Sequence, residues 1–250
     1  MQAVLVETRV RDLLDTAEAC IATGKHVHLD KPAGQSLTKH RRIPDAAASR
    51  NLLAQMGFVY RYNPAIVMLH EFLKRGWLGE PFEVHRVISK VIPHEHRREL
   101  AEYPGGIIFE LGCHIIDLTV GALGAPRQVT AYPRQSLPVD DTLLDNMLAV
   151  FEYPEATATI TSSALEVEGG ARRHFVLCGT EGTFHIQPLD DPHARVSRAQ
   201  NRGAYARGYQ DITFPNFTRF TADATSRSAI VLWECRRWDL NPHALAGNGF

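Results

Sequence analysis

The sequence predicts an α/β fold: a short parallel sheet followed by an α+β domain with a large, mostly antiparallel open sheet. Three observations carry this expectation. An apolar strand, an amphipathic helix and a second apolar strand follow one another within roughly the first 30 residues, the pattern of a βαβ unit and so of parallel strands. From Phe82 onward, strand candidates joined by short Gly- and Pro-containing turns predict a mostly antiparallel sheet. After the first of these strands stands a long helical stretch, Gly105 to Leu123, that is apolar apart from one polar stripe.

Each element has its own signal. Ala3 to Val6 is a short apolar run and the first strand. Leu13, Leu14, Ala17, Cys20 and Ile21 then recur at helical spacing, and Gly24 is a suitable stop. His26 to Leu29 is the second strand, closed by Asp30-Lys31-Pro32. A polar helix is expected from about Thr38 to Ser49, kinked or shortened at Pro44, because proline lacks an N–H and its ring meets the carbonyl one turn back. Leu52 to Val59 is expected as a strand. Pro64 suits the first turn of a helix whose stripe is Ile66, Leu69, Phe72 and Leu73, with Gly76 at its end. The later strands are expected at Phe82–Val91, Gln128–Tyr132, Met147–Tyr153, Ala156–Ser162, His174–Cys178 and Thr183–Gln187. Gly179-Thr180-Glu181-Gly182 lies between two strands and is a hairpin turn rather than a phosphate cradle. The expected division is residues 1–57, then an α+β domain over 58–224, then an irregular tail over 225–250.

Composition narrows the function. The 250 residues carry a net charge of −1 with 22% charged and 44% hydrophobic residues, so neither a nucleic-acid partner nor a polybasic membrane patch is expected. The apolar runs fall far short of the roughly 20 residues of a membrane span, and the N-terminus does not have the pattern of a signal peptide. Cys20, Cys113, Cys178 and Cys235 are widely separated, as expected of reduced thiols in a cytoplasmic protein.

Two constellations carry chemistry. Glu110, His114 and Asp117 stand at i, i+4 and i+7, which on one continuous helix puts an acid, an imidazole and an acid on one face. Such groups on a buried helix serve either as a general acid/base histidine oriented by a carboxylate or as a hydrogen-bonded cluster between layers. Lys31 ends a parallel strand, at the edge where α/β sheets bind ligands. It is either a proton relay beside a substrate hydroxyl or a solvated strand-end lysine. His94-Glu95-His96 lies in a polar stretch with Arg97 and Arg98 and is expected to be a solvated loop, since nothing else has metal-ligand spacing relative to it. No G-x-G-x-x-G occurs anywhere in the chain.

Together these pieces resemble the glucose–fructose oxidoreductase and inositol dehydrogenase family, Gfo/Idh/MocA. Gly24-Lys25-His26-Val27 with Asp30-Lys31-Pro32 is similar to its GKHV…EKP segment, with Asp30 in place of the usual Glu. Gly57 to Pro64 resembles its G(Y/F)xxRxNP segment, Leu78-Gly79-Glu80 its LGE turn, Gly105-Gly106 through Asp117 its GGxxxDxGxHxxD motif, and Gly179-Thr180-Glu181-Gly182 its GTxG hairpin. The resemblance covers roughly residues 2 to 222.

It implies an NAD- or NADP-dependent oxidoreductase transferring hydride between nicotinamide and a sugar, inositol or related polyol, with Lys31 and His114 as the catalytic pair. It also implies Glu110, Tyr60 and Arg61 beside the substrate, and Glu7, Thr8, Lys31, Pro32 and Arg61 beside the cofactor. Asp117 is expected to brace its helix, and homo-dimers or tetramers are expected to form through the open sheet. The resemblance further implies that the parallel sheet is an incomplete Rossmann-type sheet, lacking on the order of 60 upstream residues that include the Gly-rich turn. Poor dinucleotide binding is therefore expected, and a non-catalytic remnant is the alternative. The resemblance stops near Ala222-Asp223-Ala224. Trp238-Asp239-Leu240-Asn241-Pro242 is similar to a translated transfer-RNA arm, so residues from about 225 on are expected to be out of frame.

Overall fold

A computed structural model describes residues 2–191 and 193–214; the expected tail over 225–250 lies outside these. The chain divides into two compact units, one reaching Phe58 and the other starting at Val59.

The first unit alternates strand and helix: β1 (Ala3–Val6), α1 (Val10–Ala22), β2 (His26–Leu29), α2 (Leu37–Ala48) and β3 (Ala54–Met56). The three strands pair in the order β1-β2-β3, all parallel, with Val4 opposite Val27 and Val27 opposite Ala54. The apolar stripe of α1 (Leu13, Leu14, Ala17, Ile21) is buried together with Val6, Val27, Leu29, Ile43, Ala47, Ala54 and Met56. Each such Leu, Ile, Val or Met contributes roughly 1.5–3 kcal/mol relative to its exposed state. The hydroxyl of Ser36 accepts the Lys39 amide at 3.3 Å and so caps α2.

Two expectations fail here. Pro44 does not shorten α2, which runs through it to Ala48, because the buried anchors Ile43 and Ala47 hold the helix on either side. The strand expected over 52–59 survives only as β3. The amide of Gly57 still reaches Leu29 O at 2.7 Å, but that of Phe58 turns back to Met56 O, and a 3₁₀ turn, Val59–Tyr62, opens the second unit.

The second unit continues with α3 (Pro64–Lys74), β4 (Pro81–Val87), α4 (His94–Ala101), α5 (Gly106–Glu110), α6 (Cys113–Leu123), β5 (Gln128–Arg134), β6 (Asn146–Glu152), β7 (Thr157–Ser163), α7 (Gly169–Arg172), β8 (His174–Gly179), β9 (Gly182–Ile186), β10 (Ala194–Arg198) and β11 (Gly208–Ile212). Eight strands form one sheet in the order β11-β10-β9-β8-β4-β7-β6-β5. Every pairing is antiparallel except β4 with β7, where Val84 faces Ala158 and Arg86 faces Ile160. The two-part fold expected from the sequence is thus the observed one. Strands alternate in burial, as a sheet covered on one side must. Val84, Met147, Ala149, Phe151, Ala158, Ile160, Phe175, Leu177 and Phe184 are buried with residues of α3, α5 and α6, while the partly exposed His85, Thr159, Val176 and His185 occupy the opposite face.

Three corrections matter for the site. The helix expected over 105–123 is two helices. The amide of Gly112 bonds Ile107 O, five residues back, rather than Ile108 O, the wide spacing of a π-type turn. A Cβ at Gly112 would lie 2.6 Å from Ile108 O, so only glycine fits that turn. His94-Glu95-His96 is the first turn of α4 rather than a loop, and among the described residues no group of His, Cys, Asp and Glu could hold a metal. Strands β10 and β11 were not expected; their charged and polar residues hide the alternation. Among the described residues no helix is long and apolar enough to cross a membrane, and Cys20, Cys113 and Cys178 are not joined in disulfides.

Candidate active site

In the first unit the three parallel strands finish at one edge. Glu7 and Thr8 follow β1 and are exposed, with the Thr8 hydroxyl donating to Arg9 O at 3.2 Å. Lys31 and Pro32 follow β2, joined by a cis peptide; Lys31 is partly exposed and Pro32 is buried. Gly57 follows β3, and a Cβ there would sit 3.2 Å from Leu29 O and 3.5 Å from an Asp30 carboxylate oxygen. The glycine lets the ends of β2 and β3 close on each other. The predicted residues Glu7, Thr8, Lys31 and Pro32 are therefore gathered at one carboxyl edge.

In the second unit the polar groups converge around the helix break. His114, in the first turn of α6, is 6% exposed. The ring of Tyr60 stands perpendicular to its imidazole, with centroids 5.0 Å apart and planes at 86°. The Tyr60 hydroxyl donates to Asp190. Burial, followed by the neighbouring Asp190 carboxylate, pushes the phenol well above its ordinary range. Asp190 is also bound by Arg173, whose Nη1 lies 2.7 Å from Oδ2. At the end of α5, Glu110 pairs with Lys90, Nζ to Oε2 3.4 Å. Cys113 Sγ donates to Glu110 O at 3.3 Å, satisfying a carbonyl at the break. Arg61 grips Asp117 with both arms, Nε to Oδ2 2.7 Å and Nη2 to Oδ1 2.5 Å, so Asp117 ties α6 to the 3₁₀ turn.

The break changes the expected geometry. A continuous helix would stack Glu110 beneath His114, whereas the turn at Leu111-Gly112 leaves them on separate helices, with Glu110 paired to Lys90. Lys90, Arg173 and Asp190 were not singled out from the sequence. Their partners lie 20, 113 and 130 residues away in the chain, and no local spacing marks them.

The family model for the GFO/IDH/MocA C-terminal domain matches residues 66–185, the stretch that holds the helix break and most of the large sheet. Sequence and structure both point to the Gfo/Idh/MocA oxidoreductase family. Among its relatives is scyllo-inositol 2-dehydrogenase (NADP(+)) IolW of Bacillus subtilis, 28% identical over 175 residues, covering 69% of this chain and 48% of that protein. An NAD binding oxidoreductase from Klebsiella pneumoniae shares the fold with a TM-score of 0.80 at 20% identity, over 97% of this chain and 73% of that one. Levoglucosan dehydrogenase, solved with NADH and levoglucosan, aligns with a TM-score of 0.73 at 19% identity, over 86% of this chain and 61% of that one. The chain spans about half the length of the curated relatives it matches.

Proposed function

We propose that this Gfo/Idh/MocA chain serves an NAD(P)-dependent oxidoreductase that moves hydride between a nicotinamide and a ring sugar, inositol or related polyol. The observation that carries this reading is the buried His114 at a glycine-made helix break, flanked by the perpendicular Tyr60 ring and the Lys90–Glu110 pair. A histidine with an ordinary value near 6.5 is suited to hold or release an alcohol proton near neutral pH.

The first unit suits one end of a dinucleotide. Its strand ends offer an exposed edge with a lysine at its centre, and a nicotinamide bound there supplies or accepts the hydride. The described glycines of this unit suit the pyrophosphate less well. Gly34 is filled by Leu14, Gly57 closes against β2, and Gly24 lies at the far end of α1, so none cradles a phosphate. In the second unit His114 takes the hydroxyl proton as hydride leaves the carbon that bears it, and Tyr60, Arg61 and Glu110 orient the substrate; Lys31 is the candidate acid–base group of the first unit. The hydroxyl of Tyr60 is engaged by Asp190, so its contribution is the ring. A second copy of the chain is proposed to cover the open sheet face, which sedimentation of the full chain would read as a dimer or tetramer.

A second reading is a non-catalytic member that folds and self-associates; the absence of any G-x-G-x-x-G in the 250 residues favours it. Titration with NADH and NADPH, followed by nicotinamide fluorescence, separates the two. Micromolar binding supports the first. Turnover of inositols and anhydrosugars is then expected to fall at least ~100-fold in both Lys31→Ala and His114→Ala. No binding by the 250-residue chain or by one extended at its N-terminus establishes the second reading.

A further inference from the structure

We propose that the Arg173–Asp190 ion pair is a positioning device for His114, acting through Tyr60 to fix the imidazole and set the pH at which it titrates. The inference rests on the reading of His114 as the acid–base group.

The geometry is a relay of four groups from distant parts of the chain. Arg173, at the end of α7, donates from Nη1 to Asp190 Oδ2 at 2.7 Å, approaches the Tyr60 hydroxyl at 3.4 Å, and donates from Nε to Ser89 O at 3.3 Å. Asp190 accepts a hydrogen bond from the Tyr60 hydroxyl on its other oxygen. The loop bearing Asp190 is anchored twice at the preceding residue, Leu189. The amide of Leu189 donates to Arg173 O at 2.9 Å, and Asn63 Nδ2 donates to Leu189 O at 2.8 Å. Asn63 also caps α3, directly after the 3₁₀ turn that carries Tyr60. The phenol thus has one oxygen-bound direction, and its ring is held perpendicular to His114. A buried phenol needs only one acceptor to be satisfied. An acceptor that is itself an ion pair, 15% exposed on each side, is more than hydrogen bonding requires.

The elements packed against α6 bring few other uncompensated charges. Glu110 of α5 is paired with Lys90, and Asp117 of α6 with Arg61 of the 3₁₀ turn. Strand β7 carries no titratable group, and β4 supplies Arg86, which burial drives toward the neutral form and whose Nη1 donates to Thr119. His70 of α3 is also held toward neutral by burial, against the pull of Asp117. The Arg173–Asp190 pair is therefore the adjustable charge pair tied to the ring beside His114.

The test is NMR titration of His114 in the full chain labelled at histidine Cε1, with the resonance assigned by loss in His114→Gln. Asp190→Asn removes an anion and leaves Arg173 uncompensated, so the His114 midpoint is expected to fall by about half a pH unit or more. Arg173→Gln removes the cation and leaves Asp190, so the midpoint is expected to rise by a similar amount. Circular dichroism confirms that each variant is folded. If one does not fold, the sign of the shift in the other decides. Midpoints that stay fixed in folded variants, or that move in the same direction, overturn the proposal. The readout needs no turnover. Opposite shifts in an inactive protein keep the relay and sink the oxidoreductase reading, while fixed midpoints in an active one do the reverse.

Discussion

Arg97 shows what one side chain can hold together. Its guanidinium is 1% exposed and binds Asp141, Nε to Oδ2 2.6 Å, and Asp145, Nη2 to Oδ2 2.9 Å. Those carboxylates in turn accept the amides of Ser136, Leu137 and Leu143. The loop between β5 and β6 is thereby fastened to α4, and its Leu144 O receives the Ile107 amide of α5. Gly106 makes that approach possible, since a Cβ there would lie 2.4 Å from Leu144 O. Breaking a buried pair leaves charges stranded, so Arg97→Ala is expected to cost about 3–5 kcal/mol in a urea melt. A loss below about 1 kcal/mol would mean that water compensates the two aspartates. Nothing in the sequence marked Arg97 apart from its neighbours, because its partners lie 44 and 48 residues ahead. His114 was legible for the opposite reason. Its apolar neighbours in the chain made a lone imidazole conspicuous, whereas Arg173 and Asp190 stand among ordinary surface residues and acquire meaning only through contact.

The elements were legible where apolar residues alternate cleanly along the chain and illegible where they do not. Strands β6 and β7 place one buried residue in two along their length and were located to within about one residue. Strand β10 alternates in burial but fills one buried position with Arg198, and β11 is nowhere buried, so neither shows an apolar alternation in the sequence. The break between α5 and α6 was hidden because a π-type turn changes one hydrogen bond while leaving the apolar content intact. Helix α2 carries a testable imperfection. Pro44 sits in its interior, without an amide to donate and against the preceding turn. Pro44→Ala is expected to stabilise the first unit by about 1–2 kcal/mol, read from the same urea melt. A destabilised variant would show instead that the half-buried ring packs better than it obstructs.

At the scale of the molecule, stability depends on pH through groups spread over both units. Burial holds His40, His70 and His174 below their ordinary 6.5. The unfolded chain therefore takes up protons first, and stability is complete above 6.5 and lost as pH falls through the lower folded values. Asp141 is held below 3.8 by its bond to Arg97, and Glu166 below 4.5 by its bond to Arg172, so their contributions disappear in a second, more acidic step. Tyr60 and Tyr153, both raised above 10.0 by burial, add an alkaline limb: their neutral forms stabilise the fold below 10.0, and this is lost as pH rises past it. Thermal melts at constant ionic strength are expected to show a plateau between about pH 7 and 9, falling on both sides. A flat acid side down to pH ~5 would contradict the histidine assignment. One further consequence concerns how the chain comes into being. Strand β4 ends at Val87, yet its two neighbours in the sheet begin at Thr157 and His174. During synthesis the middle strand of the sheet is made first, stays bare on both edges until the chain has grown past Ser163, and on one edge until it has grown past Gly179. Assembly then closes outward from that centre, a late and non-local step before which Val84 and Ile88, buried in the finished sheet, have no partners to cover them.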